Sequence, residues 1–165
     1  MIDPALVGRA YGPYRYLVGA EEMRDFAAVL AGGAPGRAFA REAPAALTVP
    51  AEDLVPSPTY CVRFAIEPFA RACRDEALGL DLSRLLHGEQ SLELLEAIRP
   101  GDAIATRGEV VGVWQKAGME FFTVKTTSVN QRGELVVLGL WTAVVLPARS
   151  ARASPTGRRR TGVRR

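Results

Sequence analysis

Histidine and cysteine are nearly missing from this sequence, which has one histidine, His87, and two cysteines, Cys61 and Cys73. Two thiols cannot build a disulfide scaffold, and they fit a reducing compartment. With a single imidazole beside them they match no known zinc-ligand spacing, so no metal is expected. No window approaches the roughly 20 apolar residues of a membrane span, and the start Met1-Ile2-Asp3-Pro4 has neither the basic nor the apolar part of a signal peptide. A soluble cytoplasmic protein without a membrane partner is expected. What is present is ordinary: 165 residues, 48% hydrophobic and 24% charged, enough for one domain that buries about 70% of its unfolded surface.

The net charge of +3 invites a nucleic-acid reading, but its distribution argues against one. From Arg149 to Arg165 there are seven arginines and no acid; without them the chain holds 14 basic against 18 acidic residues. The basicity therefore belongs to a tail, and the body is acidic. The tail has almost no apolar bulk to offset the entropy of ordering, so disorder is expected over residues 149–165, with an ordered domain over residues 1–148. Arginine clusters bind phosphate without sequence preference. Here no aromatic or folded basic face accompanies them, so nucleic acid is not expected as a partner.

Along the body, Tyr11 to Val18 alternates aromatic and polar residues and reads as an edge strand. Ala20 to Ala31 places Met23, Phe26, Ala27 and Leu30 on one helical stripe, with acids in the first turn and Gly32-Gly33 after the end. Gly32 to Pro58 is punctuated by glycine and proline, as a functional or mobile loop would be. Thr59 to Ala77 is an apolar run interrupted by Pro68, which predicts a kinked or broken helix buried on more than one side. Four β-rich runs follow: Leu85 to Leu95, Ala103 to Lys116, Met119 to Val129 and Glu134 to Leu146. Short turns at Ala117-Gly118 and at residues 130–133 predict hairpins. The expectation is an α+β domain, an antiparallel meander packed against the helix that precedes it, with Trp114 and Trp141 in its core.

Five short stretches carry a resemblance: Arg24-Asp25-Phe26-Ala27, Pro56-Ser57-Pro58-Thr59-Tyr60, Leu86-His87-Gly88-Glu89-Gln90, Arg99-Pro100-Gly101-Asp102 and Gly118-Met119-Glu120-Phe121-Phe122. In this order, over about Tyr11 to Leu146, the chain resembles the N-terminal, FAS1-like dehydratase half of the MaoC family of (R)-specific enoyl-thioester hydratases and 3-hydroxyacyl-thioester dehydratases. The resemblance implies a single hot-dog fold, a long central helix wrapped by a curved antiparallel sheet. It implies acyl thioesters of CoA or acyl carrier protein as substrates, in fatty acid or polyketide metabolism, with no cofactor. It also implies a paired architecture, in which an Asp and a His five residues apart, within a Gly-Asp-x-Asn-Pro-x-His loop, do the chemistry: one group holds water and the other moves the C2 proton.

The region Gly32 to Pro44 contains neither His nor Asp, and His87 has Asp81 six residues before it rather than five. The dyad is absent. This points to a hydro-lyase subunit that shapes the acyl tunnel, in a heterodimer with a chain that carries the motif; the alternative is a stand-alone homodimeric thioester-binding protein or thioesterase. The substrate-binding candidates are His87, Gly88, Glu89, Gln90, Thr59 and Tyr60. On an unbroken strand His87 and Glu89 would share a face, so they are the candidates for a surrogate acid/base pair, and Glu89 alone for a thioesterase carboxylate. Against this stands the plainer role of His87 as a tunnel-wall residue, since one pair without an oxyanion donor is a weak site. Cys61 and Cys73 read as small hydrophobes, and Gly101-Asp102 as a turn that starts a strand.

Overall fold

A computed structural model describes residues 1–30 and 50–147. The Arg-rich tail and most of the Gly32 to Pro58 segment lie outside the described residues.

Five antiparallel strands form one sheet: β1 (Ala10–Leu17), β2 (Leu85–Leu94), β3 (Ala103–Lys116), β4 (Met119–Val129) and β5 (Leu135–Val145), in the order β1-β3-β4-β5-β2. Helix α1 (Ala20–Leu30) follows β1, and the central helical segment comprises a 3-10 turn (Pro58–Cys61), α2 (Val62–Ala65) and α3 (Glu67–Cys73). Only β3, β4 and β5 form the expected meander. β2 lies beyond β5 rather than beside β3. The reason is visible in β5: Val136, Val137, Trp141, Ala143 and Val145 are buried and the run is apolar throughout, so it takes an interior position with a neighbour on each side.

The hairpin between β3 and β4 turns on Ala117 (φ 52°) and Gly118 (φ 77°), the left-handed pair that a two-residue turn requires. The central helix breaks at Ile66, because Pro68 has no N–H to continue the ladder and sits instead in the first turn of α3. Its ring packs on β3 where Gly108 leaves room; a Cβ there would lie 2.4 Å from the Pro68 Cβ. Tyr60, Cys61, Phe64, Ala65, Phe69 and Ala72 bury the segment against the core face of the sheet. Helix α1 buries Met23 and Ala28, and Phe26 meets Tyr60 edge-on at 5.5 Å. Leu30, expected on the buried stripe, is exposed in the last turn.

Polar groups inside the sheet pair with one another. The Trp141 indole N–H donates to Thr126 Oγ1 at 2.8 Å, and the Thr106 and Ser128 hydroxyls bond at 2.8 Å. Gly139 makes the first bond possible, since a Cβ there would fall 2.6 Å from Trp141 Nε1.

Of the four register slips in the sheet, two decide where the expected site and core residues face. In β3 the register slips between Val110 and Gly112, so Val110 faces the core opposite Val124 but Val113, not Gly112, is next to do so, opposite Phe122. Trp114 is thereby turned to the outer face, 42% exposed and stacked on Phe121 at 5.2 Å, contrary to the expectation that it lies in the core. Trp141 is in the core as expected. In β2 the slip falls between His87 and Glu89, and its consequence is functional.

Candidate functional site

His87 is directly opposite Ala143 on the core face, and Glu89 is opposite Thr142 on the outer face. The extra residue, Gly88, inverts the alternation. A Cβ at Gly88 would lie 2.5 Å from a Val144 methyl, so the bulge depends on glycine. The surrogate pair is therefore not formed, since its two members lie on opposite sides of the sheet. Gln90, opposite Trp141, shares the core face with His87.

The His87 ring lies 5.3 Å from Phe69 on α3 and 6.0 Å from Trp141, at the margin of an aromatic cluster that continues to Phe122. It makes no hydrogen bond among the described residues. β2 is an edge strand, and eight of its ten residues are exposed. At its end, Leu94, Glu96, Ala97 and Ile98 face Leu54, Val55 and Pro56 across a small cleft of about 120 Å³. This edge thus offers unpaired backbone groups, an aromatic wall and an imidazole, a combination suited to strand pairing and to holding an apolar ligand beside a polar contact.

Thr59 and Tyr60 are elsewhere. Tyr60 begins the central helix segment, fully buried, and its hydroxyl lies 3.0 Å from that of Tyr16 on β1, the opposite edge. The Tyr16 hydroxyl bonds to the Glu22 carboxylate on α1 and accepts from Arg63 Nε at 3.2 Å; Arg63 also pairs with Glu22 at 3.5 Å. Burial, with the Tyr16 hydroxyl next, drives the Tyr60 phenol well above its ordinary value, so it stays protonated. Thr59 is exposed and bonded to Ser57 at 3.1 Å. The six candidates therefore divide into His87 and Gln90 on one wall, Glu89 on the far face, Gly88 as the bulge, and Thr59 and Tyr60 at the other edge. Sequence reasoning missed Tyr16, Glu22 and Arg63; only the aromatic alternation of β1 signalled the first.

The two cysteines behave as hydrophobes: burial raises both thiols, Cys73 to about 11, so neither is a ready nucleophile. Asp102 is buried and caps the turn before β3 by accepting from the Arg99 backbone N–H at 2.8 Å and from Gln131 at 3.0 Å, a structural role as expected. Among the described residues no group of His, Cys, Asp and Glu has the arrangement of a metal site, and no helix is long and apolar enough to cross a membrane.

Comparisons with known proteins bear on the fold and the family. A UPF0336 protein of Streptomyces coelicolor is 32% identical over 148 residues, covering 89% of this chain and 96% of that protein. One from Saccharopolyspora erythraea is 31% identical, covering 94% and 97%. Among solved structures, the HadBC (3R-hydroxyacyl-ACP dehydratase) complex of Mycobacterium tuberculosis superposes with a TM-score of 0.61 at 23% identity, over 84% of this chain and 96% of that one. A MaoC-like dehydratase superposes with a TM-score of 0.67 at 26% identity, over 87% of this chain but 43% of its own. The sheet and its helix are thus the hot-dog fold of dehydratases and thioesterases. With residues 5–138 matched by the family model for the FAS1-like dehydratase domain region, the chain belongs to that MaoC-like family.

Proposed function

We propose that this chain is the tunnel-shaping subunit of an (R)-specific 3-hydroxyacyl-thioester dehydratase or enoyl-thioester hydratase, and that a second hot-dog chain bearing Gly-Asp-x-Asn-Pro-x-His supplies the acid and base. The observation that carries the reading is the place of the only histidine. His87 sits on the open β2 edge, and among the described residues no carboxylate stands beside it on its own face to complete a proton-transfer pair. Such a pair contributes about 10² to 10⁴ in rate, so its loss leaves binding without turnover. The same edge is where a partner strand would add, placing Phe69, His87 and Gln90 along the seam between the two units. In this arrangement His87 and Gln90 contact the thioester, Gly88 sets their phase, and Tyr60 holds the helix that forms the wall.

The test is hydration of trans-2-enoyl-CoA and enoyl carrier protein by the full chain, alone and with a motif-bearing partner. Turnover is expected only in the mixture, and His87→Ala should lower it modestly. Efficient turnover by the chain alone, abolished in His87→Ala, would overturn the reading. Thioester hydrolysis lost in Glu89→Ala would select a homodimeric thioesterase instead, although Glu89 lies on the face away from the helix.

A further inference from the structure

A second cleft opens at the β1 edge, between that strand and the central helical segment, with a volume of about 310 Å³. Three arginines line it, Arg15 from β1, Arg63 from α2 and Arg71 from α3; Tyr14 and Tyr16 give it aromatic walls, and Glu67 is the acid in its lining. Its size is at the lower end of the roughly 300–1,000 Å³ that holds small organic ligands. β1 and β2 stand at opposite ends of the strand order, so four spacings of about 4.8 Å separate this cleft from the His87 edge, about 19 Å along the sheet. What it binds is therefore independent of the role proposed for that edge.

Two of the arginines are already oriented. Arg71 gives its Nε–H to Glu67 at 2.7 Å, and its guanidinium carbon lies 5.6 Å from the centre of the Tyr14 ring. Arg63 gives its Nε–H to the Tyr16 hydroxyl at 3.2 Å and sets Nη2 at 3.5 Å from Glu22. A guanidinium has five N–H donors in a planar fork, so both amino groups of Arg71 and Nη1 of Arg63 keep donors without a partner among the described residues. Arg15 is exposed and makes no hydrogen bond or ion pair among them. The two acids thus serve to hold the forks, and the cleft keeps an excess of positive charge with its donors placed in advance.

We propose that this cleft binds a phosphate monoester of a small molecule, with the phosphate between Arg15, Arg63 and Arg71 and the organic body against Tyr14 and Tyr16. Three arginines against two acids leave one positive charge, which calls for an anion. A phosphate monoester has three terminal oxygens and can accept from three guanidinium groups together, whereas a carboxylate has two oxygens to offer. A small molecule fits this edge better than an added peptide strand. The register of β1 slips between Tyr11 and Tyr14, and Pro13 within the slip has no N–H to pair.

The test is calorimetric titration of the full chain at low ionic strength with AMP, adenosine and inorganic phosphate. AMP should bind, inorganic phosphate should bind more weakly for want of an organic body, and adenosine should not bind. Arg15→Gln and Arg71→Gln should each weaken AMP binding about tenfold, as the loss of a charged hydrogen-bond donor does. Arg71→Lys keeps the charge but loses the fork, and should also bind more weakly than the native chain. Arg107 and Lys125 are exposed bases on the outer face of the sheet, and Arg107→Gln with Lys125→Gln should leave AMP binding unchanged. All the substituted positions are exposed, and circular dichroism checks that the variants fold. Absence of AMP binding at millimolar concentration, adenosine binding as tightly as AMP, or unchanged affinity in the Arg15→Gln, Arg71→Gln double variant would each overturn the proposal. So would an equal loss in the Arg107, Lys125 variant, or a phosphoserine peptide that binds where AMP does not.

Discussion

The two edges of the sheet are treated in opposite ways. Along β1 the edge is stapled: Tyr16 is held by Glu22, Tyr60 and Arg63, while Arg9 and Tyr11 both reach Asp75 beyond α3, at 2.5 and 2.9 Å. Apart from that of Tyr16 with Glu22, these contacts join residues 44 to 66 apart in sequence, so they tie the start of the fold to the central helical segment and its end. Along β2 the exposed side chains make no such contacts, and His87 has no hydrogen-bond partner among the described residues. One edge is finished within the chain and the other is left for something else, a division that hydrogen exchange should register as slower exchange along β1 than along β2.

The comparison breaks most clearly at Tyr60. Tyr60→Ala removes a fully buried ring and one of the three partners of the Tyr16 hydroxyl, and should cost about 3–5 kcal/mol in urea unfolding, as large aromatic truncations do. Tyr16→Phe keeps the ring but strips a hydroxyl shared by three partners, and about 1–2 kcal/mol is expected from the same measurement. Acid should act next. The Ala77 backbone N–H and Arg9 hold the Asp75 carboxyl below its ordinary value, and Ser83 and Arg84 hold Asp81 down at about 2. Carboxylates lowered in the folded state stabilise it above their unfolded value near 3.8 and lose that contribution as pH falls, so thermal stability should drop between about pH 4 and pH 2. In Asp75→Ala part of that drop should vanish, and β1 exchange should quicken. The smallest effect belongs to the open edge: His87→Ala should change unfolding by about 0.5 kcal/mol or less, because the ring is exposed, makes no hydrogen bond among the described residues and touches Phe69 and Trp141 only at the margin of their cluster.

Much of the fold was legible in the sequence because local rules agreed with tertiary ones. The ends of β3 and β4 fall where alternation and the Ala117-Gly118 turn put them, and Pro68 breaks the central helix as its chemistry requires. The bulges were not legible. Gly88 and Val111 look like ordinary strand residues, yet each adds one residue against its partner strand and inverts everything after it, which is how Glu89 and Trp114 came to be assigned to the wrong face. The position of β2 was hidden for a related reason, since sequence order says which strands exist but not which pairs they form. The Tyr16, Glu22, Tyr60 and Arg63 cluster joins three elements at long range, and no local pattern announces it. Of the site, the family motif placed His87 and Gln90 on the open strand, while Thr59 and Tyr60 belong to the other edge.

The contact of Pro68 with Gly108 also has a bearing on depth. Where a proline ring rests on a glycine that has no room even for a Cβ, a methylene chain, which needs about 4 Å to each neighbouring carbon, has no thickness to occupy. The layer is sealed over β3. On the proposed function, a long apolar guest is therefore housed toward β5 and β2, past Phe69 and Trp141, at the edge where the proposed partner strand adds.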